Sequence, residues 1–168
     1  MKTRDIALIG ILSATITAAK LVLSFLPNIE LVTLLFMVYT VVFGVKRTLL
    51  MSFVFSTIEI LIYGFSTWFI VYYIIWPILI LVTAYIQKKS LSEYKAAVLA
   101  GVFGLSFGFF FAVLESFFYG IMYGIAYWVK GIPFDIVHGV SNFLIALVLY
   151  KPVVNLLQRI SSRERAAS

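Results

Sequence analysis

The chain has 168 residues, of which 63% are hydrophobic and only 12% charged, and its mean hydropathy is +1.09. Soluble domains are nearer half apolar and a quarter charged, so this composition excludes an ordinary soluble domain and indicates an integral membrane protein. Cysteine is absent, which excludes disulfides, thiol nucleophiles and cysteine-based metal sites. At about 20 residues per spanning helix, the length allows six helices and short loops, with no soluble domain besides.

We predict an all-α protein of one membrane domain, residues 1–168, with six transmembrane helices. The first, 6–26, is long enough to span and is interpreted as a retained helix, since no cleavage site typical of a signal peptide closes it. Pro27 ends it. Turn residues, a basic pair and one polar loop separate the next four helices, which we place at 31–45, 48–63, 68–86 and 94–118. An aromatic connection, 119–133, then leads to a last helix at 134–149 and a basic cytoplasmic tail at 151–168.

Stripes of different chemistry run along the first helix when it is drawn at about 100° per residue. One stripe consists of the small residues Gly10, Ala14 and Ala18, and a second carries the polar Ser13, Thr17 and Lys20. Small residues allow another helix to approach closely in a bilayer, where packing contacts drive association. The small stripe therefore serves either packing inside this bundle or docking of a separate partner. A similar set on the fifth helix, Gly101, Gly104 and Gly108, predicts close packing there.

The basic residues predict the topology. Six spans place both termini and two of the loops on one side of the membrane, and this side holds 11 of the 13 Lys and Arg residues: Lys2, Arg4, Lys46, Arg47, Lys88, Lys89, Lys95, Lys151, Arg159, Arg163 and Arg165. Lys20 and Lys130 fall elsewhere. By the positive-inside rule this side is cytoplasmic. The net charge of +6 is then an orientation signal and gives no support for nucleic-acid binding.

Polar side chains at membrane depth concentrate in the outer half of the predicted bundle. Ionisable groups there cost about 2.5–3.5 kcal/mol each on insertion scales and so mark functional sites by default. A channel or proton relay would distribute them through the full thickness, whereas this pattern predicts a pocket open to the outside. With nearby aromatic residues, the predicted substrate-binding set is Lys20, Asn28, Glu30, Glu59, Trp68, Tyr72, Glu115, Tyr119, Asp135, His138 and Asn142.

Each of these residues also has a purely structural interpretation. Asp135 is a candidate N-cap of the last helix, and His138 a hydrogen-bond partner of a neighbouring helix. Lys20 either snorkels outward or pairs with a carboxylate such as Glu59 or Glu115. The outer Trp and Tyr residues are also typical of an interfacial belt. Their concentration on one side of the membrane favours a shared pocket.

Motifs for catalysis are weak. Neither G-x-x-x-x-G-K-[ST] nor H-E-x-x-H occurs, and a single histidine without cysteine gives no metal-ligand pattern. His138 and Ser141 lie three residues apart but lack a nucleophile-elbow context and an orienting acid. We therefore expect no catalytic residue, no metal site and no cofactor. A small intramembrane enzyme and a purely structural helical subunit are the alternatives from other functional classes.

The Ala14-x-x-x-Ala18 pair, the stretch LPNIELVTLL at 26–35 and the stretch GIPFDIVHGVSNFLIAL at 131–147 resemble segments of one family. These are the substrate-binding S components of energy-coupling factor (ECF) vitamin transporters, which are also similar in size, helix number and internal termini. The resemblance implies a multi-pass cell-membrane subunit that captures a vitamin at the outer face. It further implies docking through Gly10, Ala14 and Ala18 on a transmembrane T component driven by two ATPase subunits, where ATP is hydrolysed.

The charges of the predicted pocket bear on the substrate. Four acids, Glu30, Glu59, Glu115 and Asp135, face two bases, and no arginine lies on the outer side. Anionic carboxylate ligands favour arginine or lysine, so a neutral or cationic ligand is predicted. The sequence looks most like the cobalamin-specific members of the family, which implies cobalamin or cobinamide as substrate. A thiamine-like cation and pantothenate are the alternatives.

Overall fold

The computed structural model describes residues 3–88 and 91–166, and over these residues the protein is entirely helical, without strands. The predicted all-α class is therefore confirmed. Among the basic residues used to predict topology, Lys2 and Lys89 lie outside the described residues. The described chain forms six α-helices: α1 Thr3–Val22, α2 Val32–Phe43, α3 Val45–Tyr63, α4 Trp68–Gln87, α5 Glu93–Tyr119 and α6 Ile121–Ala166.

Four of the described helices, α1, α4, α5 and α6, are long and apolar enough to cross a membrane. This architecture is that of a multi-pass membrane protein. Although α2 has only 12 residues, eight of them are buried, so it lies inside the bundle rather than against its surface. Its nearly continuous apolar sequence is what a helix surrounded by other helices requires.

The first helix is shorter at its end than predicted. It stops at Val22, because Ser24 and Leu26 donate backbone hydrogen bonds to carbonyls only three residues earlier and tighten the chain into turns. Pro27 follows these turns rather than ending the helix itself. The shorter helix leaves a longer connection, residues 23–31, which contributes to the site described below.

The boundary between α2 and α3 also differs from the prediction. It falls at Gly44, whose φ of 85° is accessible to glycine but strained for other residues. Lys46 and Arg47 therefore lie in the first turn of α3 instead of terminating the second helix. The basic pair remains at the same end of the bundle, but on a helix.

The largest difference from the prediction is α6. The predicted connection at 119–133 and the predicted tail at 151–168 are helical from Ile121 through Ala166, so α5 and α6 are separated only by Gly120. A helix of 46 residues extends about 69 Å, more than twice the roughly 30 Å of a bilayer core. Pro133 and Pro152 lie within it, which membrane helices tolerate where neighbouring groups satisfy the backbone.

Close packing between α5 and α6 explains why this region is helical. A Cβ atom on Gly104 would lie 2.8 Å from the His138 carbonyl oxygen, and one on Gly124 would lie 2.5 Å from the Ala112 carbonyl oxygen. Glycine therefore brings the two backbones together along α5 and also at the first turns of α6. The close packing predicted from the small residues of α5 is confirmed.

Ion pairs distinguish the two ends of the bundle. At one end Arg47 Nη2 lies 2.8 Å from Asp5 Oδ1 and joins the starts of α1 and α3. At the other end Lys20 pairs with Glu59 and joins the ends of the same two helices. We call the first the basic end, since it carries Arg4, Lys46, Arg47, Lys88, Lys95 and Lys151. We call the second the cavity end, after the cavities described in the next section.

Candidate functional site

A cavity of about 500 Å³ lies at the cavity end, and we call it the first cavity. This volume falls within the roughly 300–1,000 Å³ typical of sites for small organic ligands. The end of α1, the 23–31 connection and helices α2 to α6 all contribute to its walls. Six of the residues predicted from sequence line it: Lys20, Asn28, Glu30, Trp68, Tyr72 and His138.

Lys20 reaches this cavity from the last turn of α1. Its ammonium group pairs with Glu59, lies 3.4 Å from the Tyr72 hydroxyl oxygen and sits 4.7 Å from the centroid of the Tyr63 ring. Glu59 is fully buried and does not line the cavity, so the pair presents its cationic partner to a ligand. The aromatic rings add cation–π attraction that holds the ammonium group in place.

Glu30 carries the second ionic contact of the site. Its carboxylate accepts the Thr33 backbone N–H at 2.9 Å and the Thr33 hydroxyl at 2.6 Å, which stabilises the N-terminus of α2. His138 Nε2 lies 3.2 Å from Glu30 Oε1. Burial alone would raise the pKa of the Glu30 carboxyl, but the hydrogen bonds and the charge of His138, with the bonds from Thr33, outweigh it and leave this pKa below its usual value.

Side chains of α6 hold the 23–31 connection and the start of α2 against the bundle. Asn142 Nδ2 donates to Thr33 Oγ1 at 3.1 Å, and Ser141 Oγ donates to the Asn28 carbonyl oxygen at 2.9 Å. Asn28 itself has a φ of 60°, a left-handed conformation that asparagine tolerates better than most residues. Asn142 therefore supports the site from behind and does not line the first cavity.

Aromatic rings form the remaining wall of the first cavity. Trp68, Tyr72 and Trp76 follow one another at successive turns of α4, and the rings of Tyr72 and Trp76 meet edge to face at 5.5 Å between centroids. Phe107 of α5 lies 4.8 Å from the imidazole of His138. Such a wall offers ring faces and edges to a planar or apolar ligand.

Phe107 is one of the lining residues that the predicted set lacks. It belongs to a phenylalanine-rich stretch of α5, and composition does not indicate which ring of such a stretch faces the cavity. The spacing Phe103, Phe107, Phe111 is the available signal, since residues four apart share one helix face. Trp76 is similarly indicated by its spacing from Trp68 and Tyr72.

A second cavity, of about 550 Å³, adjoins the first and shares Asn28 and Phe107 with it. It is lined by residues of α5 and α6, among them Asp135 and Lys130. Asp135 Oδ1 accepts the backbone N–H of Gly108 at 2.9 Å. Asp135 lies well inside α6, so the interpretation of this residue as an N-cap is wrong, because the helix begins at Ile121.

Glu115 and Tyr119 line neither of these two cavities. The carboxylate of Glu115 accepts a hydrogen bond of 2.5 Å from the Thr67 hydroxyl in the connection between α3 and α4. Tyr119 is 60% exposed and its ring packs on Tyr123. Both residues follow Phe107 by two or more helical turns, and α5 carries them past the level of the first cavity.

The two stripes of α1 face in different directions. Ser13 and Thr17 are buried, whereas Gly10, Ala14 and Ala18 are exposed. A Cβ atom on Gly10 would meet nothing within 4 Å. The interpretation that the small stripe packs inside this bundle is therefore wrong for the described residues, since the stripe is exposed on the surface of α1.

Within residues 3–88 and 91–166, no three side chains of His, Asp or Glu are grouped so that they could hold a metal ion. Comparison of the chain with protein-family models, curated proteins and solved structures gives no match. The functional interpretation therefore depends on the geometry, the charges and the sequence resemblance set out above.

Proposed function

We propose that this chain is the S component of an ECF vitamin importer, which binds its vitamin at the outer face of the cell membrane. The observation that carries the proposal is the first cavity, with its aromatic wall and its Lys20, Glu30 and His138 contacts. It lies at the end of the bundle opposite the basic end. Because basic residues favour the cytoplasmic side, this arrangement supports an outward-facing cavity and cytoplasmic termini.

In this proposal α2 and α3 complete six spans. The 12 residues of α2 rise about 18 Å, and because eight of them are buried, the surrounding helices cover the rest of the depth of the bilayer. The charged residues of α3 do not oppose its crossing. Lys46 and Arg47 lie at the basic end, and Glu59 is neutralised by Lys20.

The paired charges support a neutral or weakly charged ligand. Glu59 matches the charge of Lys20, and the Glu30 carboxylate lies beside His138, so a strongly anionic molecule would find no surplus of positive charge in the first cavity. Cobalamin or cobinamide is the substrate favoured by the resemblance. A corrinoid is larger than the first cavity alone, whereas a thiamine-like cation is of comparable size.

The exposed small stripe supports delivery by docking. The small stripe, Gly10, Ala14 and Ala18, forms a flat surface on α1 that we call the strip. Such surfaces allow close helix contact in a bilayer. We propose that this strip meets the transmembrane T component, whose two ATPase subunits hydrolyse ATP. The bound vitamin is then released toward the cytoplasm while the S component itself performs no chemistry.

Equilibrium binding to the purified protein in nanodiscs tests the proposal. Two of the three tryptophans line the first cavity, so a Trp128→Phe background confines the fluorescence signal to Trp68 and Trp76. Cyanocobalamin, cobinamide, thiamine and pantothenate are titrated, with equilibrium dialysis as the second measurement. We expect saturable binding of one of these compounds and no accumulation of it in liposomes without the ATPase module. Folded protein that binds none of them, or that accumulates solute alone, contradicts the proposal.

A further inference from the structure

The second cavity contains a buried carboxylate oxygen for which the described residues supply no partner. Asp135 is only 8% exposed. Its Oδ1 accepts the Gly108 N–H at 2.9 Å, but its Oδ2 makes no hydrogen bond within the described chain. An unsatisfied buried acceptor costs folding free energy, so a donor from water, an ion or a ligand is expected at such a group.

The sequence builds this arrangement at close quarters. Any side chain larger than hydrogen at position 108 would collide with the Asp135 carboxylate. Gly108 therefore lets the carboxylate reach the backbone of α5, and that contact fixes one oxygen. The other oxygen, Oδ2, also lies against Gly108 and has no hydrogen-bond donor among the described residues, so a molecule in the second cavity reaches it when the Asp135 side chain turns toward that cavity.

The rest of the cavity supplies a complementary group and apolar surface. Lys130 lines the same cavity as Asp135, and aromatic residues including Phe111 and Phe134 complete much of the wall. A primary carboxamide matches an acid and a base together, since its N–H donates to a carboxylate and its C=O accepts from an ammonium group. A free carboxylate or a bare ammonium ion matches only one of the two.

We infer that the second cavity binds a carboxamide-bearing arm of the same solute whose body occupies the first cavity. Asn28 and Phe107 line both cavities, so the cavities are neighbours across these two residues, and a solute that reaches past them occupies both. This inference rests on the proposed function and narrows it to solutes with a planar or apolar body and at least one amide arm. The second cavity roughly doubles the space available to such a solute.

Alkylation of a single cysteine tests the subsite without a known ligand. The chain has no cysteine, and a Cβ atom on Gly131, which lines the second cavity, would meet nothing within 4 Å. Gly131→Cys is treated with iodoacetamide, which carries N–H donors, or with 2-iodo-N,N-dimethylacetamide, which carries none. We expect Asp135→Asn to lower the ratio of the two rates several-fold, because the Asn amide group replaces the free acceptor. An unchanged ratio overturns the inference.

Three further comparisons make the result decisive. Glu115→Gln removes another buried carboxylate, outside both cavities, and should leave the ratio unchanged. Asp135→Ala, which also removes the free acceptor, should lower the ratio as well and provides the test if Asp135→Asn does not fold. Cobinamide, which has several amide arms, should bind Asp135→Asn about 10- to 100-fold more weakly than wild type.

Protection from alkylation separates failure of the inference from failure of the proposed function. A panel compound that quenches Trp68 and Trp76 should also slow alkylation of Gly131→Cys at least several-fold. Quenching with undiminished alkylation overturns the second subsite and leaves the proposed function standing. Absence of binding by every compound overturns the proposed function, while the ratio of alkylation rates still decides whether the subsite recognises an amide.

Discussion

The two faces of α1 differ in burial and in chemistry. The inner face carries Ser13, Thr17 and Lys20 against the rest of the bundle, whereas the outer face exposes Gly10, Ala14 and Ala18. Lipid tails do not require small residues, since bulky apolar side chains suit them at least as well. On the function proposed above, the inner face positions the site, and the outer face is the surface for a close helix contact with the partner.

The inner face shows how a polar stripe is accommodated inside a membrane protein. The Ser13 hydroxyl donates to the Met51 carbonyl oxygen at 3.3 Å, and Lys20 at the far end of the stripe pairs with Glu59. These contacts fix α1 against α3 and set the ammonium group at the wall of the first cavity. Substitutions on the outer face should therefore affect partner docking, whereas substitutions on the inner face should affect stability and ligand binding.

The largest effect is expected on the outer face. Ala14→Trp and Ala18→Trp place a bulky ring on the exposed strip, so a docking helix is pushed away while the bundle and the first cavity are untouched. We expect loss of ATP-driven uptake and weaker copurification with the T component, with ligand affinity near that of wild type. Uptake into cells or proteoliposomes that contain the complete transporter measures the first effect, and equilibrium binding measures the second.

Thr15→Trp is the matched control for this prediction. Thr15 is exposed like Ala14 and Ala18 but lies at the edge of the exposed face, about 100° around the helix from Ala14 and about 60° from Ala18. A tryptophan there adds the same bulk outside the strip and should preserve transport. Normal uptake in both alanine variants would mean that the partner docks elsewhere, and loss of ligand binding in them would mean that the strip belongs to the bundle itself.

The next largest effect is expected on the inner face. Lys20→Met leaves the fully buried Glu59 without its cation, and removing one partner of a buried ion pair typically costs about 3–5 kcal/mol. We expect a large fall in thermal stability in detergent together with weaker ligand binding. The double variant Lys20→Met/Glu59→Leu should recover stability but not binding, because the cavity still lacks its ammonium group. Recovery of both would show that the pair is structural only.

Much of this inner arrangement was predictable from the sequence. The stripe of Ser13, Thr17 and Lys20 has helical spacing, and polar groups in apolar helices face protein rather than lipid, so their burial followed from period and composition. The convergence of Glu30 and His138, which lie 108 residues apart, followed only in part. Helix direction placed both at the same end of the bundle, but the contact depends on the turns of residues 23–31.

The region from 119 onward was not predictable in the same way. Aromatic residues interrupted by Gly120, Gly124, Gly131 and Pro133 are typical of a connection, yet the chain is helical from Ile121. Tertiary packing overrides the local signal, because Gly124 fits against the backbone of α5. The same packing created the second cavity, and it carried Glu115 and Tyr119 beyond the level of the first, so neither residue joined the other candidates.

A smaller effect on stability is expected at Glu30, which lies in the connection between α1 and α2 and not on α1 itself. Glu30→Gln keeps one acceptor for Thr33 but loses the charge at the N-terminus of α2 and beside His138, and we expect a cost of about 1–2 kcal/mol in unfolding free energy. The pKa of this carboxyl is lowered from its usual 4.5. The stabilisation by the Glu30 charge is therefore fully present above pH 4.5 and is lost as the pH falls through the lowered pKa. Thermal unfolding of both proteins from pH 7 to pH 3 measures the difference, and Glu115→Gln serves as the control.

The smallest effect is expected at the basic end of the same two helices. Arg47 and Asp5 join α1 to α3 as Lys20 and Glu59 do, but 43% of the Arg47 side chain is exposed, so solvent screens the pair and its desolvation is slight. Exposed ion pairs contribute about 0–1 kcal/mol, and we expect Arg47→Gln to change the unfolding free energy by no more than that. The change should shrink further in 1 M salt, where the screening length for surface charges is only about 3 Å. If Arg47→Gln and Lys20→Met lowered the unfolding free energy equally, each ion pair would matter because it joins α1 to α3. Burial would then not explain why the inner face of α1 dominates stability.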